Sequence, residues 1–174
     1  MKAIVYTSNT GSTSEYAALL SAETALPVFS LEEAKKNVPN GAEIIYLGWV
    51  MAGNVKGYAE AAKRYNVSAV CAVGMSRTAE QESNIRAANR IPENIPLFTL
   101  QGNFDAKKLR GIYKLLINMV VKVTTKKLSE KSERTDAEND MLELMLHGGK
   151  RVNHENLKEV SKWYDSVKIY AEEK

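Results

Sequence analysis

Five short apolar runs punctuate the first 100 residues, and a segment of helical pattern separates each from the next. The runs are 3–7, 27–29, 43–48, 68–74 and 96–101; the helical patterns lie at 13–25, 31–36, 55–65 and 78–90. Runs 43–48 (Glu-Ile-Ile-Tyr-Leu-Gly), 68–74 (Ser-Ala-Val-Cys-Ala-Val-Gly) and 96–101 (Pro-Leu-Phe-Thr-Leu-Gln) are nearly continuous rather than alternating. Strands of that kind are covered on both faces. Ser30-Leu31-Glu32-Glu33 has the form of a capping box for the second helix, and Thr78-Ala79-Glu80-Gln81 has it for the fourth. Repeated strand–helix units of this size predict an α/β fold, a doubly wound five-stranded parallel sheet. In such sheets ligands bind beyond the carboxyl ends of the strands, where strand order reverses. The loops after the first, third and fourth strands are therefore the ones to read for chemistry.

The first of these loops is crowded with hydroxyls around one glycine: Thr7-Ser8-Asn9-Thr10-Gly11-Ser12-Thr13-Ser14, with a helix from Glu15 onward. A strand that runs into such a turn at a helix N-terminus can hold a phosphate. Backbone N–H groups point at the anion and the helix dipole favours negative charge. Small Ser and Thr side chains add donors without bulk, and glycine lets the backbone close around the ligand. Neither G-x-x-x-x-G-K-[ST] nor G-x-G-x-x-G occurs, which argues against a nucleotide triphosphatase and a dinucleotide site. A hydroxyl loop without a lysine suits a terminal phosphomonoester better than a polyphosphate. A Ser/Thr-rich turn that only caps a helix is the competing explanation.

Ser8-x-Thr10-Gly11-x-Thr13 resembles the [T/S]-x-T-G-x-T phosphate loop of flavodoxins, at the flavodoxin position directly after the first strand. The resemblance covers residues 1–101 and the last helix. It implies a flavodoxin-like fold, FMN as cofactor and a redox role, with Ser8, Asn9, Thr10, Gly11, Ser12 and Thr13 around the phosphate. It also implies that the loop after the third strand, Gly48-Trp49-Val50-Met51-Ala52-Gly53-Asn54, packs on one face of the isoalloxazine ring. Trp49 and Met51 are the candidates for ring contact, with Val50, Ala52 and Gly53 bringing the backbone to the ring edge. Trp49 as an ordinary core aromatic is the alternative. The loop after the fourth strand, Gly74-Met75-Ser76-Arg77-Thr78, is expected at the pyrimidine end. It lacks the stacking tyrosine of many flavodoxins, which leaves one flavin face more open. Arg77 is either a partner for negative charge near the flavin or a solvated charge at a helix start.

The chain has 174 residues, 44% hydrophobic and 26% charged, and reads as one domain with a full core. No apolar run approaches the roughly 18 residues of a membrane span, and no signal peptide is evident. Cys71 lies inside an apolar run and reads as a small buried hydrophobe, which excludes a disulfide framework and predicts a cytoplasmic location. The net charge of +3 is uneven: residues 1–105 carry −1 and residues 106–174 carry +4. Soluble flavodoxin carriers tend to be acidic, so a basic chain suggests a different partner surface. His147 and His154 have no companions at ligand spacing, so no metal site is expected. Nothing in the sequence suggests a catalytic side chain.

Residues 106–150 form a basic helical insertion ahead of a final helix at 153–171. Helix 106–123 carries an apolar arc wider than one sheet face needs, built on Leu109, Tyr113, Leu116, Val120 and Val123. Lys107 to Lys127 includes seven basic residues and no acidic one. It has no series of base-stacking aromatics, so nucleic-acid binding is not expected. Residues 129–140 read as a loop or exposed helix start, 141–146 as a short helical piece, and Asn153 as the cap of the last helix. The expectation for helix 106–123 is that the sheet covers one side of its arc and residues 141–170 the other. The alternative leaves part of the arc exposed for peripheral contact with the inner membrane face. Leu100-Gln101-Gly102-Asn103-Phe104, the basic helix and Lys150-Arg151-Val152-Asn153-His154-Glu155 resemble the flavodoxin-type protoporphyrinogen dehydrogenases. Those FMN enzymes pass electrons to quinones at the membrane. The sequence thus predicts an FMN-binding redox protein serving a redox partner protein or a quinone. An enzyme of the protoporphyrinogen IX dehydrogenase type is the alternative, and a flavin-free interaction module a third reading.

Overall fold

Residues 1–75, 79–105 and 111–172 are described by the computed structural model. The elements, in order, are β1 (Ala3–Thr7), α1 (Ser12–Thr24), β2 (Val28–Ser30), α2 (Leu31–Asn37), β3 (Glu43–Met51), β4 (Asn54–Val55) and α3 (Tyr58–Arg64). They continue with β5 (Asn66–Gly74), α4 (Ala79–Asn89), β6 (Leu97–Gln101), α5 (Gly111–Ser129), α6 (Asp136–His147), a 3₁₀ turn (His154–Leu157) and α7 (Lys158–Glu172). Five strands form a parallel sheet in the order β2-β1-β3-β5-β6, and β4 pairs antiparallel with β3 off that path. The predicted doubly wound parallel sheet is therefore present, with the five expected strands in place to within three residues at each end.

The continuous apolar runs serve both faces because successive side chains point opposite ways. Ala3, Val5, Ile44, Tyr46, Val70 and Ala72 face one layer, where Leu31 and Ala34 of α2, Tyr58 and Ala61 of α3 and Ile85 of α4 pack. Ile4, Ile45, Leu47, Ala69, Cys71 and Val73 face the other, against Tyr16, Ala17 and Leu20 of α1 and Leu157 and Val160 of the C-terminal segment. Full burial of each large aliphatic here contributes roughly 1.5–3 kcal/mol. Cys71 is wholly buried, and burial pushes its thiol up to about 12, so it behaves as the hydrophobe the sequence suggested.

Several boundaries differ from expectation, among them the end of α5, at Ser129 rather than 123. β3 runs on to Met51, where a loop was predicted from Gly48. Its end folds back through Ala52-Gly53 onto β4, with Val50 opposite Val55, Met51 opposite Asn54, and the Lys56 N–H donating to the Trp49 carbonyl at 3.0 Å. Ala52 (φ 49°) and Gly53 (φ 76°) both take positive φ, the backbone of a two-residue hairpin turn. Pairing in β4 also delays α3 to Tyr58, three residues later than predicted. In the charged segment, α6 starts at Asp136 rather than 141, capped by Thr135 in a capping box with Glu138.

The largest departure concerns α5, whose predicted first residues, 106–110, lie outside the described part. It packs against α6, with Leu128 buried and Ile117 and Val121 half-buried on that side. The opposite face is open: Leu115 is 70% exposed, Met119 66% and Val123 62%, with Leu116 also exposed and Val120 at the edge between the two faces. The expected cover from residues 141–170 is missing there because α7 packs on the α1 face of the sheet instead. No described helix is long and apolar enough to cross a membrane.

Candidate functional site

Strand order reverses between β1 and β3: the chain leaves β1 for β2 on one side and returns to β3 on the other. Beyond the carboxyl ends of these strands lies a cavity of about 270 Å³, near the lower end of the roughly 300–1,000 Å³ typical of small-molecule sites. Asn9, Thr10, Ser12 and Thr13 line it from the loop after β1. Trp49, Val50, Met51, Ala52 and Gly53 line it from the β3–β4 hairpin, and Met75 from the end of β5. Ten of the fourteen residues singled out from sequence therefore meet in one place. Ser8 and Gly11 line an adjoining shallow depression with Tyr6, Thr7 and Ser14. Ser76 and Arg77 lie outside the described residues, as does Thr78 of the predicted capping box.

The polar end of the cavity is built by the first turn of α1. Gly11 stands at the helix N-cap with φ 104°, a conformation costly for any residue with a Cβ, and no side chain caps the turn. The hydroxyls around it divide by role. Ser14 Oγ donates to the Gly11 carbonyl at 2.8 Å. Ser12 Oγ accepts from the Asn103 N–H at 3.0 Å and so ties the loop to the end of β6. Ser8 Oγ is buried with no hydrogen-bond partner. A buried, unpaired hydroxyl is costly unless a ligand completes it. Among the described residues no Lys or Arg lines the cavity, so an anion here would be held by amides and hydroxyls.

Away from that turn the lining is apolar. Met51 is buried and Trp49 half-buried, with the Lys56 ammonium 5.9 Å from the indole ring centre. The sequence reading missed a fourth wall. Gly102, Asn103, Phe104 and Asp105 follow β6, while Ile117 and Val120 of α5 and Met141 and Met145 of α6 close the far side. The Gly-Asn pair directly after the fifth apolar run was a turn signal pointing to the first part of that wall. The helical part carries no local signature. Among the described residues no group of His, Cys, Asp or Glu side chains is clustered to hold a metal.

The strand order, the reversal at β1 and the hydroxyl loop placed there define a doubly wound α/β protein of the flavodoxin-like type. The sequence model of the flavodoxin domain matches residues 3–131, and the chain belongs to that family. The match takes in the sheet and α5 and stops short of α6 and α7. No curated protein and no solved structure matches the chain.

Proposed function

We propose that this protein binds FMN and transfers electrons through it. Flavodoxin-like domains typically bind FMN, and the residues present fit that group. The observation that carries the reading is the buried, unpaired Ser8 hydroxyl beside the uncapped first turn of α1. It adjoins a cavity that turns apolar along Trp49, Met51 and Met75. When bound, the flavin supplies the electron chemistry. The chain's own work is binding and orientation. Ser8, Thr10 and Thr13 provide hydroxyls for the phosphate, and the α1 amides face its charge. Trp49, Met51 and Met75 offer flat and polarisable surface to an aromatic ring. Phe104, Ile117, Val120, Met141 and Met145 keep water from the far side.

Titration of the flavin-free chain with FMN, riboflavin and FAD tests this. FMN should bind at least about 10-fold more tightly than riboflavin, as expected when hydrogen bonds to a charged group are lost. FAD should not be preferred. Equal affinity for FMN and riboflavin overturns the phosphate assignment.

The bare face of α5 favours a second reading, a quinone-coupled oxidoreductase of the protoporphyrinogen IX dehydrogenase type. Leu115, Met119 and Val123 form an exposed stripe, with Lys122, Lys126 and Lys127 exposed on the same helix. Such a face suits contact with an anionic membrane surface, where a lipid-soluble electron acceptor would be met.

A further inference from the structure

The α5–α6 hairpin is braced within itself. Lys131 reaches both carboxylate oxygens of Glu138 at 2.8 Å, and Arg134 donates to the Leu128 carbonyl and to Asn139 Oδ1, each at 2.8 Å. Just past α6 a backbone bridge joins Gly149 to Phe104 by two 2.9 Å hydrogen bonds, and along α6 itself the side-chain polar tie to the sheet is concentrated at one carboxylate. Asp140 Oδ1 accepts from Arg151 Nη2 at 2.9 Å and from Nε at 3.1 Å, while Oδ2 accepts from Gln101 Nε2. Those contacts hold the Asp140 carboxyl below its usual range.

Both partners are themselves anchored at the cavity. Gln101 ends β6, and its Nε2 also donates to the Met75 carbonyl at 3.3 Å. The Arg151 and Val152 N–H groups donate to Asn103 Oδ1 at 2.7 and 2.9 Å, and the Asn103 N–H donates to Ser12 in the first turn of α1. A chain of hydrogen bonds thus runs from the hydroxyl-rich loop through Asn103 and Arg151 to Asp140. The next residue, Met141, and Met145 one turn further on are the α6 contribution to the cavity wall.

We propose that Asp140 is a positioning residue: its ion pair with Arg151 and its hydrogen bond from Gln101 latch α6 so that Met141 and Met145 close the far side of the cofactor cavity. It touches nothing that binds in the cavity and acts through the two methionines. The proposal rests on the FMN reading for its ligand but not for its geometry. Without the latch the self-braced hairpin keeps the Phe104–Gly149 bridge at its C-terminal end, and α6 loosens about that bridge. The pair is partly solvent-exposed, Asp140 at 38% and Arg151 at 26%, so its effect is expected to be moderate.

The experiment uses the full chain as wild type, Asp140→Asn, Arg151→Met and the swap Asp140→Arg/Arg151→Asp. In the flavin-free proteins, hydrogen exchange of the α6 amides should quicken in both single variants while β3 and β5 stay unchanged. The swap should return it toward wild type. In the FMN-loaded proteins, the dissociation rate of FMN and quenching of its fluorescence by iodide should rise about three- to tenfold in the single variants and fall back in the swap. Unchanged α6 exchange in Asp140→Asn overturns the latch. Faster α6 exchange with unaltered FMN release and quenching overturns its role in the cavity. A wild-type chain that binds no FMN overturns the functional reading and the named ligand; the flavin-free arm still decides whether the latch exists.

Discussion

Ala52 carries a backbone conformation that its side chain does not favour. Its φ of 49° is imposed by the hairpin between β3 and β4, and Asn54 Nδ2 donates to its carbonyl at 3.1 Å. A left-handed backbone costs a residue with a Cβ roughly 1–2 kcal/mol, whereas asparagine tolerates it. Ala52→Asn should therefore stabilise the protein by about 0.5–1 kcal/mol, seen as a higher urea midpoint at unchanged slope. No gain would mean that neighbouring contacts, rather than the turn, set the energy at this position. The conformation was not legible in the sequence, because Ala-Gly is a weaker hairpin signal than Asn-Gly or Asp-Gly. The positions of Ser8, Thr10 and Gly11 at the turn into α1 were legible, because near neighbours in one motif set them. Ser12 was legible only in part: its place was right, but its hydroxyl serves Asn103 across the fold.

At the scale of elements, two capping boxes show where local signals carried and where they were passed over. Ser30 and Glu33 bond reciprocally at the start of α2, as the sequence indicated. Thr135 and Glu138 do the same for α6, yet their segment is so highly charged that its apolar pattern begins only at Met141. The cap had more to say than the hydrophobic pattern, because α6 buries only Leu144 and Met145. Thr135→Ala should cost α6 about 1 kcal/mol. Native-state hydrogen exchange of the α6 amides should then quicken by about fivefold, with β3 amides unaltered. An unchanged rate would assign the stability of α6 to its packing on α5, the Asp140 tie and the Phe104–Gly149 bridge. β3 shows the opposite limit. Its first six residues declare themselves by apolar continuity, Trp49 continues the ladder opposite Val73 of β5, and Val50 and Met51 are strand because β4 folds back to pair with them.

For the whole molecule, the open face of α5 decides the outstanding functional question. Each basic residue near an anionic surface contributes about 1 kcal/mol, so Lys122, Lys126 and Lys127 with the Leu115–Met119–Val123 stripe should bring the protein down with anionic vesicles at low salt. Neutral vesicles should leave it in solution. High salt, or the pair Lys114→Glu/Lys122→Glu, should abolish sedimentation. Absence of binding at low salt would leave a freely diffusing electron-transfer flavoprotein as the better reading. The sequence by itself determined the parallel sheet and the place of the hydroxyl-rich loop at the start of α1, because each rests on periodicity or on residues a few positions apart. Tertiary structure alone decided the rest: how far β3 extends, that α5 and α6 wall the cavity, and that α7 packs on α1 rather than over α5. An apolar helix face states how much surface must be covered. What covers it depends on the competition among all such faces for the two sides of one sheet, and that competition is settled only in the folded chain.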